Sequence, residues 1–117
     1  KLPIQYALSY PDRFYNEFTH TNLPRLAELT FYEPDYEKFE CLKLAYDVMA
    51  EGGISPCILN AANEVAVSKF LEGDIKFLQI PETINKALLK FENHKHPDLE
   101  TIYETDRQTR EYLESTF

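Results

Sequence analysis

Tryptophan is missing from this chain of 117 residues, and glycine, methionine and cysteine are scarce, with three, one and two copies. The glycines stand at positions 52, 53 and 73. A G-x-G-x-x-G turn or a phosphate-cradling loop needs several closely spaced positions without a side chain, so that the backbone can approach the phosphate. These residues therefore cannot bind a nucleotide by either device.

Long apolar runs and an excess of positive charge are also missing. No stretch approaches the roughly 18 apolar residues of a membrane-spanning helix, so we expect no membrane partner. The formal net charge of −8 argues against nucleic acid or an anionic membrane surface as a partner. The opening KLPIQ resembles neither a signal peptide nor a translation start, and from it we expect a fragment of a longer protein.

The two cysteines, Cys41 and Cys57, stand among apolar residues without the close pairing that metal sites and redox motifs require. We expect both to be buried free thiols in a reducing compartment.

The most apolar stretch, Ile54 to Leu71, predicts the central helix of a small bundle, because its polar residues form only a narrow strip. Ser55 is expected to cap this helix, with Pro56 at the first helical position and Gly73 beyond its end.

Helical spacing predicts three further helices around this one. The first runs from about Phe39 to Gly52, and its apolar stripe is Leu42, Ala45, Val48 and Met49. The next carries Ile80, Ile84, Ala87, Leu88 and Phe91, after a connector expected to turn Ile75 and Phe77 inward. The last opens at Pro97 and Asp98 with apolar points Leu99, Ile102, Tyr103, Tyr112 and Leu113, and a Thr105–Gln108 capping box suggests a corner within it.

Residues 1–34 read as a linker: a short helix from about Pro3 to Tyr10 and then an extended strap. Leu29–Tyr32 favours β structure and suggests one short edge strand. The strap has apolar side chains that it cannot bury by itself, so we expect it to pack on a domain that is absent here. These side chains are Leu2, Ile4, Tyr6, Leu8 and Phe14. The predicted fold class is all-α, with a bundle of about four helices in residues 35–117.

Candidate reactive groups are few. Asp98 and Glu100 form an acid-x-acid pair, but residues two apart on a helix point about 200° away from each other and cannot converge on one metal ion. His94 and His96 lie in an expected exposed loop, far in sequence from His20. Neither Ser9 nor Ser55 has a nearby histidine to activate it. We expect no catalytic, cofactor-binding or metal-binding residue in this chain.

Asn60, Asn63 and Glu64 are unusual polar residues in the central helix. They predict either a ligand site or a buried polar network that holds a neighbouring helix or the strap, and we favour the structural network.

Three blocks in order carry a family resemblance: PIQYALSYP from Pro3, CLKLA from Cys41 and LNAANEV from Leu59. Together they resemble the carboxy-terminal part of the 1-deoxy-D-xylulose 5-phosphate reductoisomerase family. The resemblance implies an intact NADPH-dependent enzyme of the bacterial cytoplasm that converts 1-deoxy-D-xylulose 5-phosphate to 2-C-methyl-D-erythritol 4-phosphate in non-mevalonate isoprenoid synthesis. It also implies a divalent metal (Mg²⁺, Mn²⁺ or Co²⁺) and a homodimer.

The family's catalytic residues precede the matching region, so the resemblance makes this chain the linker and helical domain. We expect the bundle to brace the upstream NADPH-binding and catalytic domains. The alternatives are a free-standing helical interaction module and, less favoured, a small-ligand carrier that uses the Asn60–Glu64 face.

Overall fold

The computed structural model describes residues 2–17 and 21–117, which form six helices and no strand. The helices are α1 (Leu2–Ser9), α2 (Leu23–Leu26), α3 (Glu40–Glu51), α4 (Ser55–Glu72), α5 (Gln79–Lys90) and α6 (Leu99–Glu114). The chain divides into two compact units, Lys1–Glu33 and Pro34–Phe117. Because the described residues form helices and no strand, the predicted all-α class is confirmed.

In the first unit the segment after α1 folds back on that helix. The amide of Asn16 donates to Oε1 of Gln5 at 3.0 Å, and the guanidinium of Arg13 lies 4.3 Å from the centre of the Tyr6 ring. Most apolar side chains of α1 stay exposed, including Leu8 and Ile4. The short helix predicted near Pro3–Tyr10 is present.

Two features of the linker differ from the sequence prediction. Leu29–Tyr32 is not a strand, because no strand in the described ranges lies beside it to pair its backbone groups, and β propensity alone does not order an exposed segment. The strap also contains the short helix α2, whose first turn is capped by Asn22 Oδ1, which accepts from the amide of Arg25 at 3.1 Å.

The second unit is a helical bundle built around α4, which contacts α3, α5 and α6. Three alanines of α4, Ala61, Ala62 and Ala66, have no exposed surface, and their small side chains let neighbouring helices approach closely. The rest of the core is aliphatic. It consists of Ile54, Ile58, Val65, Ile75, Ile80, Ile84, Ala87 and Leu113. The predicted central role of this helix is confirmed.

The ends of α4 agree with the sequence prediction at one end only. Gly73 takes the left-handed conformation (φ 88°) beyond Glu72, as expected. At the start, Ile54 occupies the cap position and Ser55 is the first helical residue, so the predicted Ser55 cap is wrong. The Ser55 hydroxyl instead donates to Glu51 Oε2 at 3.0 Å, across the turn from α3.

Helix α6 is continuous from Leu99 to Glu114, so the break into two helical pieces that was suggested at Thr105 or Asp106 is wrong. Gln108 does not close a capping box, because its amide donates to Glu104 at 2.6 Å. Ion pairs one helical turn apart, such as Arg107 with Glu111 and Arg110 with Asp106, support the uninterrupted helix. The helix starts at Leu99, close to the opening predicted at Pro97 and Asp98, and Asp98 is its cap: Asp98 Oδ1 accepts from the amide of Thr101 at 2.8 Å.

The connector between α4 and α5 buries Ile75 but leaves Phe77 exposed, which corrects half of the prediction for this segment. The Phe77 ring packs edge-to-face against Phe70, with ring centres 5.8 Å apart. This pair lies at the edge of the core.

The core predicts a strong contrast between two apolar positions on α5. Ile84 is 1% exposed, so Ile84→Ala should lower the free energy of unfolding by about 2–5 kcal/mol through lost burial and a cavity. Leu89 is 82% exposed, and Leu89→Ala should change that free energy by less than about 0.5 kcal/mol. Urea unfolding followed by circular dichroism measures both, and equal effects would contradict this packing.

Candidate functional site

The polar residues singled out on α4 lie on the bundle surface. Asn60 and Glu64 are both exposed, one helical turn apart, and the Asn60 amide donates to Glu64 Oε1 at 3.1 Å. The other carboxylate oxygen accepts from Arg110 Nη2 of α6 at 2.8 Å, and Arg110 also pairs with Asp106 at 2.8 Å. Asn63 is half-buried and takes no part in these bonds.

The expected burial of this network is therefore wrong, because water reaches both Asn60 and Glu64. The contact with a neighbouring helix is present, since Glu64 joins α4 to α6 through Arg110. Arg110 and then Asn60 hold the pKa of Glu64 below its ordinary value, so the carboxylate is charged at neutral pH. A solvated, neutralised carboxylate of this kind is suited to a helix contact and not to general acid–base chemistry at pH 7.

A more organised polar cluster lies where the α3–α4 turn meets the segment after α5. Asn93 Oδ1 accepts from the backbone amide of Ile54 at 2.9 Å, and Asn93 Nδ2 donates to Glu51 Oε1 at 2.9 Å and to the Gly52 carbonyl at 3.2 Å. The Lys95 ammonium donates to the Glu51 carbonyl at 2.9 Å. We call this group, Glu51 to Ser55 with Asn93 to Lys95, the corner.

The corner satisfies backbone groups that the end of α3 and the start of α4 leave unpaired. The Glu51 carboxylate accepts hydrogen bonds from Asn93 and Ser55. These bonds, the one from Asn93 most, hold the pKa of Glu51 below its ordinary value. Gly53 (φ 69°) lies so close that a Cβ there would be 2.4 Å from Asn93 Oδ1 and 2.6 Å from the His94 carbonyl oxygen. The side chains of Glu51, Ser55, Asn93 and Lys95 all have partners within the corner, so the corner joins the α3–α4 turn to the segment after α5.

The other predicted candidates are dispersed. His94 and His96 are exposed, and His94 contributes only its carbonyl, which accepts from the Ile54 amide. Asp98 acts as a helix cap, and hydrogen bonding to Thr101 lowers its pKa. Within residues 2–17 and 21–117, no three His, Cys, Asp or Glu side chains converge as metal ligands. His20 lies outside the described residues.

The cysteines and serines are placed separately as well. Both thiols are free, but Cys41 is exposed and Cys57 half-buried, so the prediction that both are buried is wrong. Cys57 Sγ donates to the Ile102 carbonyl at 3.4 Å. Ser9 donates to the Asp12 carbonyl at 2.7 Å, and the Ser55 hydroxyl is used at the corner.

Sequence reasoning missed an apolar groove between the start of α3 and the start of α5. Its cavity measures about 550 Å³, and its apolar lining includes Phe39, Cys41, Leu42, Phe77, Leu78 and Pro81. The groove was missed partly because the whole apolar stripe of α3 was expected to face the core. Only Val48 of that stripe is buried, while Met49 is 68% exposed. The sequence did contain a sign of the groove. Further apolar residues, including Phe39 and Tyr46, flank the stripe of α3, and one helix face cannot bury all of them.

The fold defines a class: a small all-helical domain in which the Glu64–Arg110 pair links two helices and Asn93 links two connections. None of the helices in the described part of the chain is both long and apolar enough to span a membrane.

Residues 1–112 match the family model described as the DXP reductoisomerase C-terminal domain. The chain therefore belongs to the 1-deoxy-D-xylulose 5-phosphate reductoisomerase family and corresponds to the C-terminal domain of its members.

Named relatives agree with this assignment. The chain is 50% identical over 111 residues to the 1-deoxy-D-xylulose 5-phosphate reductoisomerase of Desulforamulus reducens, a match that covers 95% of the chain and 29% of that protein. It is 44% identical over 114 residues to the enzyme of the same name from Acetivibrio thermocellus, covering 97% of the chain and 30% of the relative.

A solved structure of the Zymomonas mobilis 1-deoxy-D-xylulose 5-phosphate reductoisomerase in complex with NADPH has the same fold over this region. The TM-score is 0.88 at 32% identity, and the match covers 98% of this chain and 30% of that one. The chain thus spans just under a third of the length of the relatives it matches.

The corner predicts a steep penalty for a side chain at position 53. Gly53→Ala should lower the free energy of unfolding by about 2–4 kcal/mol, because it combines a left-handed backbone with a clash against the backbone oxygen of His94. Gly73→Ala is the matched control: its φ is also positive but the space around it is open, so about 1–2 kcal/mol is expected. Chemical unfolding of both variants measures the difference, and a Gly53→Ala effect no larger than the control would refute the close approach.

The corner also predicts a pH dependence. The pKa of Glu51 is lower in the folded state than in the unfolded state, so its stabilising effect is complete above the ordinary glutamate pKa of about 4.3 and is lost as pH falls through the folded-state value. The difference in Tm between the native chain and Glu51→Gln should therefore be largest near neutral pH and vanish in acid.

Glu92→Gln removes the same charge beside the corner and serves as the control for this titration. Its Tm difference from the native chain should stay smaller than that of Glu51→Gln at pH 7. Parallel Tm curves for native and Glu51→Gln protein across the acid range would contradict the role given to Glu51.

Proposed function

We propose that this chain is the linker and C-terminal helical domain of an NADPH-dependent enzyme that converts 1-deoxy-D-xylulose 5-phosphate to 2-C-methyl-D-erythritol 4-phosphate. The observation that carries the proposal is the match of residues 1–112 to the C-terminal domain of this family. The likeness to the Zymomonas mobilis enzyme supports it. The intact enzyme then needs NADPH, uses Mg²⁺, Mn²⁺ or Co²⁺, and works as a homodimer in the bacterial cytoplasm.

Within that enzyme the chain braces the upstream NADPH-binding and catalytic domains and contributes no catalytic, cofactor-binding or metal-binding residue. The polar groups described above support this role, because their hydrogen bonds hold the bundle's own helices and turns together. The linker supports it too, since Leu8, Phe31 and Tyr32 are each at least 86% exposed and need a surface to cover them. Such a brace limits the relative motion of the domains it contacts during closure around the substrate.

The family match favours the enzyme domain over the free-standing module that the sequence left as an alternative. A free-standing interaction module has no need of a sequence that aligns over its length with part of a longer enzyme. A ligand carrier that uses Asn60 and Glu64 is disfavoured because Glu64 is already paired with Arg110.

Two variants of α4 in the full-length reductoisomerase test the brace. Val65 is 7% exposed, so Val65→Asp buries a charge and should unfold the bundle. We expect turnover to fall by about tenfold to hundredfold, because misplaced domains lose the geometry of closure. Leu71, on the same helix, is 77% exposed, and Leu71→Asp should leave both the bundle and turnover intact.

Turnover, the apparent KM for NADPH and hydrogen exchange of the bundle are measured together. Full turnover in a Val65→Asp enzyme whose bundle amides exchange freely would remove the bracing role.

A further inference from the structure

The bundle leaves most of the side chains that line the apolar groove between α3 and α5 exposed. Phe39, Phe77 and Leu78 are all more than half exposed, although each is large and apolar. The cavity of about 550 Å³ that they line lies beside the core, since the buried core residue Ile80 also lines it. A concave apolar surface of this size against a packed core is typical of an interface.

The rim of the groove is mainly acidic. Glu37 and Glu40 line it, and the cation among the lining residues, Lys38, extends over the Phe39 ring with its Nζ 5.7 Å from the ring centre. A second copy of this chain would bring an equally acidic rim against the first, which opposes self-association. Charge complementarity instead favours an apolar segment with basic side chains beside it.

The family assignment supplies a source for such a segment. The chain covers about 30% of each of the three relatives named above, so most of their length lies outside the matched region. We propose that the groove of Phe39, Leu42, Phe77 and Leu78 is the docking site for the upstream part of the same reductoisomerase polypeptide, through an apolar, basic-flanked segment. This rests on the bracing role proposed above and identifies the face of the bundle that makes the contact.

Cys41 provides a probe, because it lines the groove and is exposed in the chain described here. A docked segment would cover it. Cys57 lies elsewhere, bonded to the Ile102 carbonyl, and serves as the internal control. The pKa of the Cys41 thiol is raised by partial burial and by Glu40, so rates are compared at one fixed pH.

The experiment measures iodoacetamide labelling of each cysteine by peptide mass spectrometry in the isolated chain and in the full-length enzyme. Cys41 should react at least about tenfold more slowly in the full-length enzyme, since labelling would need local opening of the interface. The Cys57 rate should be unchanged. Equal Cys41 rates in the two proteins would overturn the proposal, as would Cys41 protection in the isolated chain that grows with its concentration, which would assign the groove to a second copy.

Substitutions at two exposed leucines test whether Cys41 is protected by a segment docked in the groove or by some other effect of the full-length enzyme. Leu78→Asp in the full-length enzyme places a charge in the groove and should restore fast Cys41 labelling. Leu89→Asp, on the same helix but outside the groove lining, should not. No change with Leu78→Asp would overturn the proposal.

The Cys41 labelling experiment and the Val65→Asp turnover experiment can fail independently of each other. Loss of turnover in Val65→Asp together with unprotected Cys41 would keep the brace and move its contact to another face. Protected Cys41 together with full turnover in an unfolded-bundle enzyme would keep the docking site and remove the brace.

Discussion

Close contact at Ala61, Ala62 and Ala66 is the constraint on which the bundle depends. These positions are fully buried, and because each side chain is only a methyl group, a neighbouring helix can lie close to the backbone of α4. Larger side chains there would push the helices apart and open the aliphatic core around Ile84 and Leu113. The helix can be central in the bundle because its side chains at these points are small.

The sequence was sufficient where a long periodic pattern coincided with burial. It located α4 and α5 because Ile58, Val65, Ile80 and Ile84 recur at helical spacing and all lie in the core. It failed at the inner face of α3, because an apolar stripe has the same appearance whether its partner is another helix of the bundle or an absent surface. It also failed at Leu29–Tyr32, since residues that favour a strand form one only beside a pairing partner.

The polar features were harder to predict because they depend on contacts between distant residues. The corner joins Glu51 to Asn93, which are 42 positions apart, and no local motif marks either residue. The network predicted on α4 includes Asn63, which takes no part in it, and was assigned the wrong environment, because helical spacing places Asn60 next to Glu64 without telling which face of the helix meets water. The arginine that pairs with Glu64 comes from α6, 46 residues further on.

The corner has a mechanical consequence for α4 and α5. Asn93 follows α5, and its side chain bonds to the residues that precede α4, so the two ends of this antiparallel pair are held at one point and the pair forms a closed loop. The end of α3 is therefore joined by a few hydrogen bonds to the segment that leads into α6, although two helices lie between them in sequence.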